Sequence, residues 1–134
     1  MVSNGYQQYR TSSVETAKPV DLVVMLNQGV VRFSQRAVQA IERRDLEAAH
    51  QNLVKAQAIV AELASTLNLE AGGPIAQNLL SIYDYAHRRL VEANCRKSAA
   101  PAVEVAQLFR ELLSAWQQLA EASSRDLASS GAGR

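Results

Sequence analysis

Two short motifs in this sequence carry the residue types of a metal site. Glu47-Ala-Ala-His50 and Asp84-Tyr-Ala-His87 each place an acid three residues before a histidine. On two helices of a four-helix bundle, with a further glutamate from each remaining helix, that spacing builds a di-iron or di-manganese carboxylate centre. Such ligands must converge on one point. At about 100° per residue, Glu47 lies roughly 145° from the centre of its own helix's apolar seam, and Asp84 about as far from the centre of its own. Both carboxylates are therefore expected to face water, with the histidines flanking the core. No metal or other cofactor is expected. Gly72-Gly73 precedes a proline and lacks the lysine of a phosphate-binding loop. No nucleophile elbow or Cys-His pairing occurs, and Cys95, the single cysteine, reads as a packing residue at a helix end. No catalytic residue is assigned, and the chain does not read as an enzyme.

The elements that would carry these side chains are all helical. Pro19 suits the first turn of a helix, where its missing N–H costs nothing, and Asp21 complements the positive helix end. A first helix is expected from Pro19 to Arg44. Asp45 is a candidate N-cap for a second, in which Leu46, Ala49, Leu53, Ala56, Val60, Leu63 and Leu67 alternate steps of three and four. That helix should end near Asn68, before Ala71-Gly72-Gly73-Pro74. A third, from Pro74, presents Ile75, Leu79, Ile82, Ala86, Leu90 and Ala93. A fourth, after Pro101, presents Val105, Phe109, Leu112, Trp116 and Leu119. Short links force sequence neighbours to run antiparallel. The expected fold is an all-α, up-down four-helix bundle over residues 18–121. Residues 1–17 are expected to form a mobile arm, and the Ser/Ala/Gly-rich residues 122–134 a frayed tail.

The chain has 134 residues, 48% of them hydrophobic, and fourteen basic against thirteen acidic side chains for a net charge of +1. That balance does not suit a nucleic-acid binder. Arg43-Arg44, Arg88-Arg89 and Arg96-Lys97 sit among acids and near expected helix ends, where cations are favoured. The N-terminus lacks the basic and apolar regions of a signal peptide, and no apolar run reaches the roughly 20 residues of a membrane span. A cytosolic protein is expected, with neither membrane nor nucleic acid as partner.

The first helix is unusual. Leu22, Leu26, Gly29, Phe33 and Ala40 form a core stripe, yet Val24, Val31 and Val38 recur on nearly the opposite side, with Val23, Val30 and Ile41 between. The apolar sector spans roughly 200°, about twice what a surface helix needs. Either the helix is wedged between two neighbours, or part of the sector docks a partner. Gly29 in mid-helix costs about 1 kcal/mol against alanine, which a close helix crossing or a ligand chain would offset. Tyr83 and Tyr85 lie about 160° apart on the helical wheel and cannot both face the core. Tyr83 is expected to flank the seam, and Tyr85 to reach a neighbouring helix or a partner.

Ile82-Tyr-Asp-Tyr-Ala-His-Arg-Arg-Leu90 with Glu92-Ala-Asn94 is similar to the signature of the FliS family of flagellin-specific export chaperones. Leu67-Asn-Leu-Glu-Ala-Gly-Gly-Pro-Ile75 looks like its link into the third helix, and Val24-Met-Leu-Asn-Gln-Gly29 with Phe33 like its first-helix motif. Asn4-Gly-Tyr6 looks like its arm, and Leu112 to Trp116 like its fourth-helix ending. The likeness runs from about residue 4 to 120, in order. It departs at Asn27-Gln28, where the family usually has Tyr-Asp, and at Lys18, where a serine often caps the first helix. The resemblance implies a chaperone that binds flagellin's C-terminal segment, prevents premature polymerisation and delivers flagellin to the flagellar type III export apparatus. The export gate and other flagellar regulators would be further partners. An adaptor for a different flagellar or secretion protein is the alternative. The candidate contact residues are Tyr6, Val24, Met25, Gly29, Val31, Val38, Tyr83 and Tyr85, with the arm covering part of the surface until cargo displaces it.

Overall fold

The first helix ends where its own backbone can be closed without glycine. The structure, a computed structural model, describes residues 19–132, with side chains described through residue 126. The expected arm, Tyr6 and Lys18 lie outside the described residues. Helix α1 spans Pro19–Glu42, α2 Leu46–Ser65, α3 Leu69–Arg96 and α4 Ala99–Ala132. No strand occurs among the described residues.

After α1, Arg44 adopts a left-handed conformation (φ 60°), and the Asp45 N–H reaches back to the Ala40 carbonyl at 2.8 Å. After α3, Lys97 does the same (φ 49°), with Ser98 N–H on the Ala93 carbonyl at 3.1 Å. Both closures are Schellman motifs. They place the Arg43-Arg44 and Arg96-Lys97 pairs at negative helix ends, as expected. Asp45 caps α2, accepting from Ala48 N–H at 3.1 Å.

Asn68 caps α3 in the same way, accepting from Ala71 N–H at 3.0 Å. The third helix therefore starts earlier than Pro74. One turn forms from Leu69, the chain kinks at Gly73 (φ 54°, ψ −136°), and Pro74 restarts the helix. Only glycine adopts that backbone at low cost. At the other end, α4 continues to Ala132 instead of fraying after Glu121. Ala122, Arg125, Leu127 and Ala128 are strong helix formers that the two serine pairs do not override.

Helix α1 packs on α2 and α4, α3 packs on α2 and α4, and the diagonal pairs do not approach. Gly29 meets Ile59 while Lys55 meets Phe33, so α1 and α2 run antiparallel. The pairs Tyr83–Phe109 and Arg89–Glu104 show the same for α3 and α4. The antiparallel four-helix bundle is the observed fold.

The core is built from Leu26, Val30, Ala37, Leu53, Ala56, Ile59, Val60, Leu63, Tyr83, Ala86, Leu90, Val105 and Phe109. On α1 the buried arc is Leu26, Asn27, Gly29, Val30, Ser34, Ala37 and Ala40. It is rotated towards Val30 from the expected stripe, leaving Leu22 and Phe33 half-buried. Helix α1 packs on both α2 and α4, and a helix gripped from two sides buries a wider arc than one packed on a single neighbour.

Three expected core residues are exposed. Leu46 is exposed because it is the first residue of α2, beyond the end of the seam. Ile75, at 73% exposure, sits just past the kink, and Leu119, at 51%, lies where α4 has outrun α3's packing. Cys95 is exposed rather than packed.

Gly29 is the tightest point. A Cβ there would stand 2.8 Å from Ile59 Cδ1, so the mid-helix glycine serves a close helix crossing. Ile59 Cδ1 is the tip of a side chain and can yield to one methyl. Gly29→Ala is therefore expected to leave stability within about 1 kcal/mol, helix propensity offsetting the contact. Gly29→Leu should cost about 1–3 kcal/mol or more by overpacking. Urea denaturation checks both, and an undiminished Gly29→Leu variant would mean that α1 and α2 are not in close register.

Candidate functional site

The seam between α3 and α4 is closed along one half and open along the other. In the closed half, the Tyr83 ring lies 6.1 Å from the Phe109 ring, tilted by 31°. Tyr83 is 2% exposed, a core residue rather than a flanking one, and burial pushes its hydroxyl pKa up. Its ring sits where the expected seam had Ile82, which is half-buried.

A surface ladder covers this half. Tyr85 Oη donates to Glu104 Oε1 at 2.8 Å, and Arg89 Nε donates to the same oxygen at 2.6 Å. Arg89 also pairs with Glu92, whose other oxygen lies 3.4 Å from Arg96. The bonds from Arg89 and then Tyr85 hold the Glu104 carboxyl below its usual range. The same bond to Glu104 is the main reason the Tyr85 hydroxyl is raised. Tyr85 thus reaches a neighbouring helix, as its place on the wheel implied.

The open half begins immediately beyond. From Arg110 to Asp126 no residue of α4 is fully buried, and on α3 before Tyr83 only Ala76 is. Stepping outward from the Tyr83–Phe109 pair at 1.5 Å per residue brings Leu79 level with Leu112, and Ile75 level with Trp116. All but Ile75 are half-buried; Ile75, Leu69 and Leu119 are exposed. The Trp116 Nε1 atom is buried without a hydrogen-bond partner among the described residues. Half-buried leucines and an indole along one incompletely covered seam are suited to the apolar face of an amphipathic helix.

The candidate contact residues do not form one surface. Val24 and Met25 are half-buried near the start of α1. Asp21 shares a surface depression with Ala120, Glu121, Ser124 and Arg125, so this part of α1 belongs to the open end. Val31 and Val38 pack against the edge of the core. Gly29 and Tyr83 are interior, and Tyr85 is held in the ladder over the closed half. Ile75, Trp116 and Leu119 were missed as surface because a heptad count assigns them to a seam and cannot show where the partner helix stops closing it.

The acid-x-x-His motifs stay apart. Glu47 and Asp84 are exposed, as expected. The His50 ring contacts Asn94, whose Nδ2 lies 3.0 Å from His50 Nδ1. His87 and Asp84 line a shallow depression with Ser81 and Arg88. No three His, Cys, Asp or Glu side chains converge as metal ligands among the described residues. Among them, too, no helix is long and apolar enough to cross a membrane.

An all-helical antiparallel bundle with one incompletely closed apolar seam has the architecture of a protein-binding module. The family model for flagellar protein FliS matches residues 2–123, and the chain belongs to that family. It is 37% identical over 130 residues to a flagellar secretion chaperone FliS of Bacillus subtilis, covering 97% of this chain and 96% of the relative. It is 36% identical over 127 residues to the one of Salmonella typhimurium, with 91% and 94% covered. The likeness to the Vibrio cholerae flagellar secretion chaperone FliS is 31% over 117 residues, with 84% and 86% covered.

The two halves of the seam should respond differently to substitution. Phe109→Ala is expected to cost about 3–5 kcal/mol, and Ile75→Ser to stay within about 0.5 kcal/mol, both by urea denaturation. Similar losses would mean that the seam is closed throughout.

The ladder also carries a sign in pH. Because the folded Glu104 carboxyl is lowered, its contribution is full above the ordinary carboxylate range and is lost as pH falls through the folded value. The small stability gap between the wild type and Glu104→Gln should therefore close in acid. A gap that widens on acidification would contradict the assignment.

Proposed function

We propose that this protein is a cytoplasmic export chaperone that binds the C-terminal segment of flagellin, prevents its premature polymerisation and delivers it to the flagellar type III export apparatus. Membership of a family whose relatives are named flagellar secretion chaperones, and not enzymes, supports the chaperone role. The observation that carries the reading is the unclosed apolar half of the α3–α4 seam. A segment that folds on binding can cover such a surface with modest affinity per area, which suits cargo that must later be released. Leu79, Leu112 and Trp116 would form the floor, with Ile75 and Leu119 at the rim. Val24 and Met25 extend the surface round the start of α1. Tyr6 and the N-terminal arm would cover part of it in the free protein.

The alternative, an adaptor for another flagellar or secretion protein, uses the same surface. Asn27, where the sequence departs from the pattern it resembles, is fully buried and offers no contact to a partner.

Mixing with flagellin should give a stable complex that is lost when flagellin's C-terminal segment is removed. Full binding by the truncated flagellin would overturn the reading, and capture of a different export substrate would favour the alternative. The double variant Ile75→Asp/Leu119→Asp should weaken flagellin binding roughly tenfold or more, about 1.4 kcal/mol, with helicity unchanged. Undiminished binding would move the cargo surface elsewhere.

A further inference from the structure

The outer seam between α1 and α2, away from the α3–α4 opening, gathers cations round one ring. Arg32 Cζ lies 5.0 Å from the centroid of Phe33, Lys55 Nζ 5.3 Å and Arg36 Cζ 5.7 Å. Phe33 is half-buried against the core, while Arg32, Arg36 and Lys55 are exposed. None of the three has an acidic partner among the described residues. The sequence explains why: between Asp21 and Glu42 on α1, and between Glu47 and Glu62 on α2, no acid occurs. The exposed positions in that interval include Gln28, Gln35, Gln39 and Gln51. A chain with a net charge of only +1 thus holds a purely cationic stretch across two helices.

That stretch is unfavourable by itself. Arg32 and Arg36 are four residues apart on one helix face, a like-charge spacing that weakens a helix. The attraction of each cation to the ring offsets part of this, and it also fixes the guanidinium groups in place. A fixed guanidinium presents a planar fork that matches a carboxylate with two parallel bonds. The spacing of Arg32 and Arg36 matches carboxylates one helical turn apart on a partner.

We infer that the Arg32, Arg36 and Lys55 cluster round Phe33 is a docking site for an acidic segment of a partner protein. The site is independent of the cargo reading and stands whether or not the α3–α4 face takes flagellin. The chain's own outlying segments do not fit it. Residues 1–18 carry Glu15 against Arg10 and Lys18, and residues 127–134 contain no acid. A nucleic acid needs a long basic track, whereas Asp21, Glu42, Glu47 and Glu62 bound this one at both ends. A short carboxylate-bearing peptide fits the bounded patch. The Gln side chains would hydrogen-bond its backbone, and Phe33 would pack against its aliphatic stems.

The test uses the full-length protein and a short rhodamine-labelled peptide of alternating glutamate and leucine, followed by fluorescence anisotropy. Binding should occur at low salt, weaken as salt is added, and fall roughly tenfold or more in Arg32→Gln/Arg36→Gln/Lys55→Gln. The variant Arg110→Gln/Arg125→Gln, which removes two cations elsewhere, should bind as the wild type does. The three substituted side chains are exposed, so circular dichroism should be unchanged. Failure to bind at low salt, equal losses in both variants, or no loss in the triple variant would each overturn the proposal. Tighter binding to a short single-stranded DNA or to anionic vesicles than to the peptide would overturn it too. So would a dimer of this chain that the triple variant abolishes, since the occupant would then be a second copy.

Discussion

Everything in this bundle depends on α1 being held from two sides. Its buried arc, from Gly29 through Leu26, Ala37 and Val30 to Ser34, must meet α2 and α4 at once, because no single helix covers so wide a sector. Gly29 lets Ile59 approach on the α2 side. With α4 committed to α1 along much of its length, α3 is left to α2 and to the first part of α4. The Tyr83–Phe109 contact closes that part, and beyond it the pairing of α3 and α4 loosens.

This arrangement divides the molecule by purpose. The half with Tyr83, Leu90, Val105 and Phe109 is a packed core under a charged ladder. The other half keeps leucines and Trp116 only partly covered. Asn27 Oδ1, Ser34 Oγ and Trp116 Nε1 are buried without a hydrogen-bond partner among the described residues. Asn27 Nδ2 is satisfied locally by the Val23 carbonyl at 2.8 Å, so the burden falls on its oxygen. A buried unpaired oxygen typically costs about 1–3 kcal/mol. The α1 core thus gives up some stability at those positions, and the wide apolar burial round them offsets it.

Much of the fold was legible in the sequence because its signals are local. The Asp45 cap, the α2 seam and the basic pairs at helix ends each follow from a few neighbouring residues. Two boundaries were misjudged for identifiable reasons. Asn68 caps a turn that the glycine pair seemed to forbid, and Gly73 then absorbs the break in a single residue. At the far end, alanine propensity carried α4 through serines that read as a tail. The candidate site was less legible. Periodicity places Ile75, Leu112, Trp116 and Leu119 on apolar faces but says nothing about whether another helix covers them, which depends on the relative lengths and levels of α3 and α4. The same limit explains Tyr83, whose ring enters the core beside Phe109, and the valines of α1, of which Val31 and Val38 join the core edge.

We propose that the unclosed half of the α3–α4 seam receives the cargo. Amide hydrogen exchange, with and without a peptide of flagellin's C-terminal segment, tests it most directly. In the free protein, α3 should exchange faster from Leu69 to Leu80 than from Tyr83 to Ala93. On adding the peptide, protection should rise over Ile75–Leu80 and Leu112–Leu119, with little change across Tyr83–Leu90. Uniform protection along free α3, or peptide-induced protection confined to the outer faces of α1 and α2, would contradict the account.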